Sequence, residues 1–113
     1  MADADPPNTT IAEIRTTFAS REAAEACARR LVTARVAACV QIDGPIRSVY
    51  RWQGVPETAD EWRCTCKTTV GREADCLRAI AAGHDYETPE LIVARVSASQ
   101  AYAGWVRQSV DGG

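Results

Sequence analysis

Two alternating runs in the middle of the chain constrain its fold more than any other feature of the sequence. Ile46, Ser48, Tyr50 and Trp52 alternate with Arg47, Val49 and Arg51, and Trp62, Cys64 and Cys66 alternate with Arg63, Thr65 and Lys67. A period of two places each set on one face of a pleated strand. Gly54 to Asp60, polar and containing Pro56, separates the runs and reads as the connection of a β-hairpin. An isolated hairpin is marginal in water, so it needs a core beneath it or a chain beside it. This one is long for 113 residues and carries rings at exposed-looking positions, so it is expected to reach past its own core toward a partner chain.

The flanking segments supply that core. Thr10 to Thr17 is rich in β-branched residues and reads as a strand. Ser20 is placed to cap a helix in which Ala24, Cys27, Ala28, Leu31 and Val32 recur at helical spacing, with Arg29, Arg30 and Arg35 toward its negative end. Val36 to Ile42 is uncharged and apolar, a buried strand that Asp43-Gly44-Pro45 is expected to stop. A second helix fits Gly71 to Ala82, with Ala74, Leu77, Ile80 and Ala81 on one face and Gly83 as its stop. Pro89 introduces a last strand, Glu90 to Val96, whose Leu91-Ile92-Val93 reads as buried, and Tyr102, Trp105, Val106 and Val110 mark a terminal helix. The order β-α-β-β-α-β plus one helix predicts an α+β, ferredoxin-like sandwich with both crossover helices on one face of an antiparallel sheet. Met1 to Asn8 is expected to be a disordered lead, and residues 9–113 a single domain.

Composition narrows the function. A net charge of −2, with twelve arginines and one lysine dispersed among fifteen carboxylates, lacks the clustered basic patch that a nucleic-acid backbone demands. No apolar stretch approaches a membrane span, and Met1 to Asn8 carries acids and two prolines where a signal peptide needs basic residues and an apolar run. A cytoplasmic protein is expected, in which five cysteines, an odd number, stay free thiols. Phosphate-loop, Cys-x-x-Cys, His-Glu-x-x-His and nucleophile-elbow patterns are all missing, so no catalytic template is indicated.

Metal chemistry is the class left open. Cys64 and Cys66 fall on one strand face about 7 Å apart, too far to share an ion on a straight strand. With Trp62 they read as an apolar stripe, and Cys27 and Cys76 read as helix packing. His84 stands in His84-Asp85-Tyr86-Glu87-Thr88-Pro89-Glu90, where imidazole and carboxylates suit a borderline divalent ion, or equally cap a helix end and satisfy backbone groups.

Five blocks then align with one family: Ala37-Ala38-Cys39-Val40, Ser48-Val49-Tyr50-Arg51-Trp52-Gln53-Gly54, Lys67-Thr68-Thr69, His84-Asp85-Tyr86-Glu87-Thr88-Pro89-Glu90 and Tyr102-Ala103-Gly104-Trp105. In order and separation they resemble the CutA divalent-cation tolerance proteins, from Thr9 to Val110. The resemblance implies a non-enzymatic homotrimer whose long hairpins pair between chains, with a role in tolerance to copper and other divalent metal ions. It implies metal ligands at Cys39 and His84, with Glu90 the nearby carboxylate, and a cleft between subunits built by Tyr50, Trp52, Lys67, Tyr86, Glu87 and Trp105. A similarity to PII-type trimeric signalling proteins leaves a second expectation, a small molecule sensed in that cleft. The chain departs from the family pattern at Asp85, where proline is usual, at Gln41, and at Thr16, where some members carry a cysteine linked to copper. Arg63 and Thr65 replace aliphatics and need polar partners where they are covered.

Overall fold

In the computed structural model, which describes residues 9–111, strands β1 (Thr10–Phe18), β2 (Cys39–Trp52), β3 (Val55–Thr68) and β4 (Ile92–Ser97) form one sheet in the order β2-β3-β1-β4. Helices α1 (Arg21–Thr33) and α2 (Glu73–Ala82) connect β1 to β2 and β3 to β4, and α3 (Gln100–Asp111) follows β4. The three strand pairs are antiparallel, and the whole is the expected ferredoxin-like arrangement. The lead at residues 1–8 lies outside the described residues. None of the described helices is long and apolar enough to cross a membrane.

Alternation along β1 assigns the two faces. Ile14 and Phe18 pack with Cys64 and Cys66 of β3 against Ala24, Cys27 and Leu31 of α1 and Cys76 and Ile80 of α2. Ile11, on the other face, packs with Ala103 and Val106 of α3 and with Val96 and Tyr102. The core is therefore two layers of helix on opposite sides of one sheet. Ser20 caps α1 as expected, its Oγ accepting from the Ala23 N–H at 3.1 Å. In α2 the buried residues are Cys76 and Ile80, while Ala74 and Ala81 face solvent, so the helix is rotated from the expected stripe. Its first turn is a 3₁₀ segment, Val70–Arg72, started by Thr69, whose Oγ1 accepts from the Arg72 N–H at 3.2 Å.

The hairpin differs from expectation at both ends. Asp43-Gly44-Pro45 does not stop a strand: β2 runs through it, and a register shift between Asp43 and Ile46 absorbs the irregularity. Proline lacks an N–H, but β2 is a sheet edge, where a bulge can accommodate it. At the far end the connection is only Gln53-Gly54, with φ of 51° and 81°, a two-residue turn of the kind that matches strand twist. Gly54 to Asp60 is thus strand rather than loop from Val55 onward, with Pro56 opposite Arg51. Fourteen-residue arms make the molecule 57 Å long against 27 and 21 Å across.

Leu91, Ile92 and Val93 are not buried. They are 36%, 49% and 38% exposed, because β4 is the other sheet edge and no strand among the described residues lies outside it.

Candidate functional site

The chain from Gly83 to Leu91 wraps the end of the sheet where β1 finishes. His84 stacks on Phe18, ring centres 4.3 Å apart and planes 12° from parallel, on the face covered by α1 and α2. Its Nδ1 accepts from the Tyr86 backbone N–H at 3.1 Å, so the ring proton is on Nε2. That Nε2–H donates to the Thr17 carbonyl at 2.9 Å, with the Thr16 hydroxyl 3.1 Å away. Thr16 is thus in direct contact with His84. Two residues on, the loop has crossed to the opposite face, where the Tyr86 hydroxyl donates to Glu61 Oε2 at 2.7 Å.

Glu61 is the residue that sequence reasoning missed. Burial raises its carboxyl, but hydrogen bonds from Ser48, Tyr86 and Thr17, with His84 close by, overcome that and hold it below the ordinary range. Burial first, then Glu61, push the Tyr86 hydroxyl up, so it stays a donor, and Tyr50 reaches the same neighbourhood from β2. Beside this group Arg63 makes a two-pronged ion pair with Asp43, at 3.1 and 3.4 Å, which supplies the polar partner Arg63 required. Glu90 lies within electrostatic reach of Arg63 but is exposed, as is Glu87. The indole Nε1 of Trp62, the neighbour of Glu61, is buried without a partner.

A depressed carboxyl has a signed consequence. Ionised Glu61 stabilises the fold above the ordinary glutamate value of 4.5, and that contribution is lost as pH falls through the lower folded value. The melting temperature of the wild type is therefore expected to fall more steeply below about pH 5 than that of Glu61→Gln. Parallel melting curves for the two proteins from pH 6 down to pH 3 would exclude the network as described.

Cys39 occupies a different place. It pairs with Lys67 in the β2–β3 register, half-buried on the face that α3 partly covers, within electrostatic reach of the Tyr102 hydroxyl. The Lys67 ammonium donates to Gln41 Oε1 at 2.9 Å and lies 3.8 Å from Glu13. Glu61 is six residues along β3 from Lys67, roughly 20 Å at about 3.3 Å per residue. Within one chain, then, Cys39 does not meet His84, and among the described residues no three of His, Cys, Asp or Glu converge as a metal site. Tyr50, Trp52 and Trp105 are 44%, 55% and 46% exposed, and Trp105 touches only the Tyr102 ring, centre to centre 5.6 Å, among the described ring pairs.

Comparison with known proteins places these features in a lineage. The family described as CutA1 divalent ion tolerance protein matches residues 13–109. The divalent-cation tolerance protein CutA of Escherichia coli O45:K1 is 30% identical over 111 residues, covering 97% of this chain and 99% of that protein. Its Thermus thermophilus counterpart is 33% identical over 94 residues, 82% of this chain and 91% of the relative. The crystal structure of CutA from Xylella fastidiosa superposes with a TM-score of 0.87 at 33% identity, covering 89% of this chain and 98% of that one. By sequence across nearly its whole length and by fold, this chain belongs to the CutA1 divalent ion tolerance family.

Proposed function

We propose that the protein works without catalysis, as a cytoplasmic homotrimer that binds divalent metal ions, copper foremost, and that Cys39, His84 and Glu90 hold the ion as a set drawn from more than one copy. The family match over residues 13–109 carries this reading. Its physical support is that, among the described residues, each edge of the sheet is left open. Val49, Tyr50, Trp52 and Val55 expose apolar surface on the hairpin, and Leu91, Ile92 and Val93 expose it along β4. An apolar hairpin and an apolar edge on one chain are two different patches, so copies meet head to tail, and such contacts form a finite assembly only when they close a ring. A ring also answers the separation of Cys39 from His84, since ligands too distant within one chain can meet across a subunit boundary.

The His84 geometry sets a condition on metal binding. Both ring nitrogens are engaged, Nδ1 by the Tyr86 N–H and Nε2 by Thr17, so an ion must displace one of these bonds. Of the two readings, metal is favoured over a small anion, because the Lys67 charge such an anion would need is already shared by Gln41 and Glu13.

Titration of Cu(II) into the wild type, Cys39→Ser and His84→Ala, followed by electron paramagnetic resonance, tests the ligand set. Each substitution is expected to weaken binding about tenfold or more, the equivalent of about 1.4 kcal/mol. Unchanged affinity in both variants would remove the assignment. Light scattering on the wild type is expected to return three chains, and a monomer would overturn the shared-site reading.

A further inference from the structure

The segment between α2 and β4 is fastened to the rest of the fold at points that differ in how firmly they hold. At its root, Arg30 Nη2 donates to the Ala79 carbonyl at 3.3 Å, and the guanidinium lies where a Cβ on Gly83 would fall. Next along, the inner side of the His84 ring is sealed. Nε2–H donates to the Thr17 carbonyl at 2.9 Å, the Thr16 hydroxyl is 3.1 Å away, and Thr16, Thr17 and Phe18 are all buried. The outer side is closed only by the segment's own backbone, the Tyr86 N–H at 3.1 Å from Nδ1. The Tyr86 side chain is tied down in turn by its hydroxyl, which meets Glu61 Oε2 at 2.7 Å. Among the described residues, no side-chain hydrogen bond or ion pair fastens the chain between Tyr86 and Ile92.

We propose that a divalent ion takes Nδ1 of His84, and that the Tyr86–Glu61 hydrogen bond is a latch that keeps this nitrogen covered until the ion competes for it. The inference rests on the reading of His84 as a metal ligand, and adds which nitrogen serves and what regulates it. A ligating histidine commonly donates its other ring N–H to a backbone carbonyl, which fixes the tautomer and leaves the metal-bound nitrogen unprotonated. The Nε2–H bond to Thr17 is that arrangement already made. Use of Nε2 would instead require breaking a bond to a strand carbonyl and drawing the ring off Phe18, whose centre is 4.3 Å away. At Nδ1 only the Tyr86 N–H stands in the way, and turning it aside moves the backbone of the residue whose side chain Glu61 holds. Two bonds on one residue thus stabilise the closed arrangement. The affinity observed is the intrinsic one multiplied by the fraction of molecules that are open, so the latch lowers it. Removing a residue that supports the ion's site weakens binding, whereas removing a latch tightens it. Tyr86→Phe separates the two roles, because it keeps the ring beside His84, centres 4.9 Å apart, and deletes only the hydroxyl.

His84 is the only histidine in the chain, so acylation of imidazole by diethyl pyrocarbonate, followed by its ultraviolet absorbance, reports on this ring alone. In the metal-free full chain, Tyr86→Phe is expected to react about three- to tenfold faster than the wild type, the equivalent of one lost hydrogen bond. Glu61→Gln, which keeps an acceptor oxygen, is expected to fall between them. Cys64, Cys66 and Cys76, all 0% exposed, are the internal control, and their reaction with a thiol reagent is expected to stay as slow as in the wild type. Titration of Cu(II) into the same proteins is expected to show binding tightened by a similar factor in Tyr86→Phe. An unchanged acylation rate, or thiols that open in step with His84, would overturn the latch. Faster acylation with weaker or unchanged Cu(II) binding would overturn Nδ1 as the point of entry. Faster acylation with no Cu(II) bound by either protein would remove the metal reading of His84 and leave the latch standing, so the two failures are distinguishable.

Discussion

Phe18→Ala is expected to destabilise the fold by about 3–5 kcal/mol, the range for emptying a large aromatic position in a packed core. Phe18 is the largest fully buried side chain, closing the end of β1 opposite Trp62 and lying beneath the His84 ring. Removing it leaves a void on one side and an unsupported imidazole on the other. The midpoint of thermal unfolding is expected to drop by roughly 4 °C or more for each kcal/mol. The His84 ring resonances are expected to move as well, since the stacked neighbour is gone. Phe18→Leu keeps apolar volume but offers no ring face, so it is expected to retain much of the stability while still moving those resonances. Loss of less than about 1 kcal/mol in Phe18→Ala would mean that the end of β1 collapses freely and does not define the site.

How much of this was legible in the sequence depends on how far apart the interacting residues lie along the chain. Helix α1 was readable because its signals are local: the Ser20 cap and the Ala24, Cys27, Leu31 stripe lie within twelve residues. The sheet order followed from the sequence of elements and the handedness of crossovers. Asp43-Gly44-Pro45 misled because turn chemistry is also bulge chemistry, and only the pairing of Asp43 with Arg63 and of Ile46 with Glu61 shows which one applies. Leu91-Ile92-Val93 misled for the converse reason. Apolar residues in a short strand report that something covers them, and they do not say whether it is this chain or another.

The site shows the same division. His84 and Tyr86 stood out in a short segment crowded with donors and acceptors. Glu61, the acceptor of the Tyr86 hydroxyl, lies 25 positions away, where no local motif marks it. What could have pointed to it is chemical: a tyrosine beside a histidine in a tight loop needs an acceptor, and the carboxylates near the hairpin root are the ones within reach. Cys39 was found by pattern, yet its surroundings, Lys67 and Tyr102, arise from a strand register and a helix that no local motif encodes. Cys27, Cys64, Cys66 and Cys76 are legible as core because helical spacing and strand alternation are local signals, and each is no more than 1% exposed.

Gly44→Ala tests whether that hairpin root positions the site. A Cβ on Gly44 would fall 2.5 Å from Trp62 Cδ1, 2.7 Å from Cγ and 3.0 Å from the Glu61 carbonyl oxygen. Indole and backbone cannot yield as a flexible side chain does, so the bulge must open or Trp62 must move. Either displaces Glu61, whose own backbone is one of the atoms in the way, and with it the acceptor of the Tyr86 hydroxyl. The expected cost is about 1–3 kcal/mol, the usual range for overpacking, accompanied by a change in Trp fluorescence and by loss of the acid-dependent difference between wild type and Glu61→Gln. Gly83→Ala is the matched control. Its Cβ also meets atoms at close range, but they belong to the guanidinium of Arg30, the far end of a flexible chain, and Gly83 has φ of −112°, which any residue adopts. That substitution is expected to cost well under the Gly44 change, through the Arg30 bond to Ala79 alone. Equal costs at the two glycines would show that Trp62 is as mobile as an arginine tip, and that the root of the hairpin does not hold Glu61 in place.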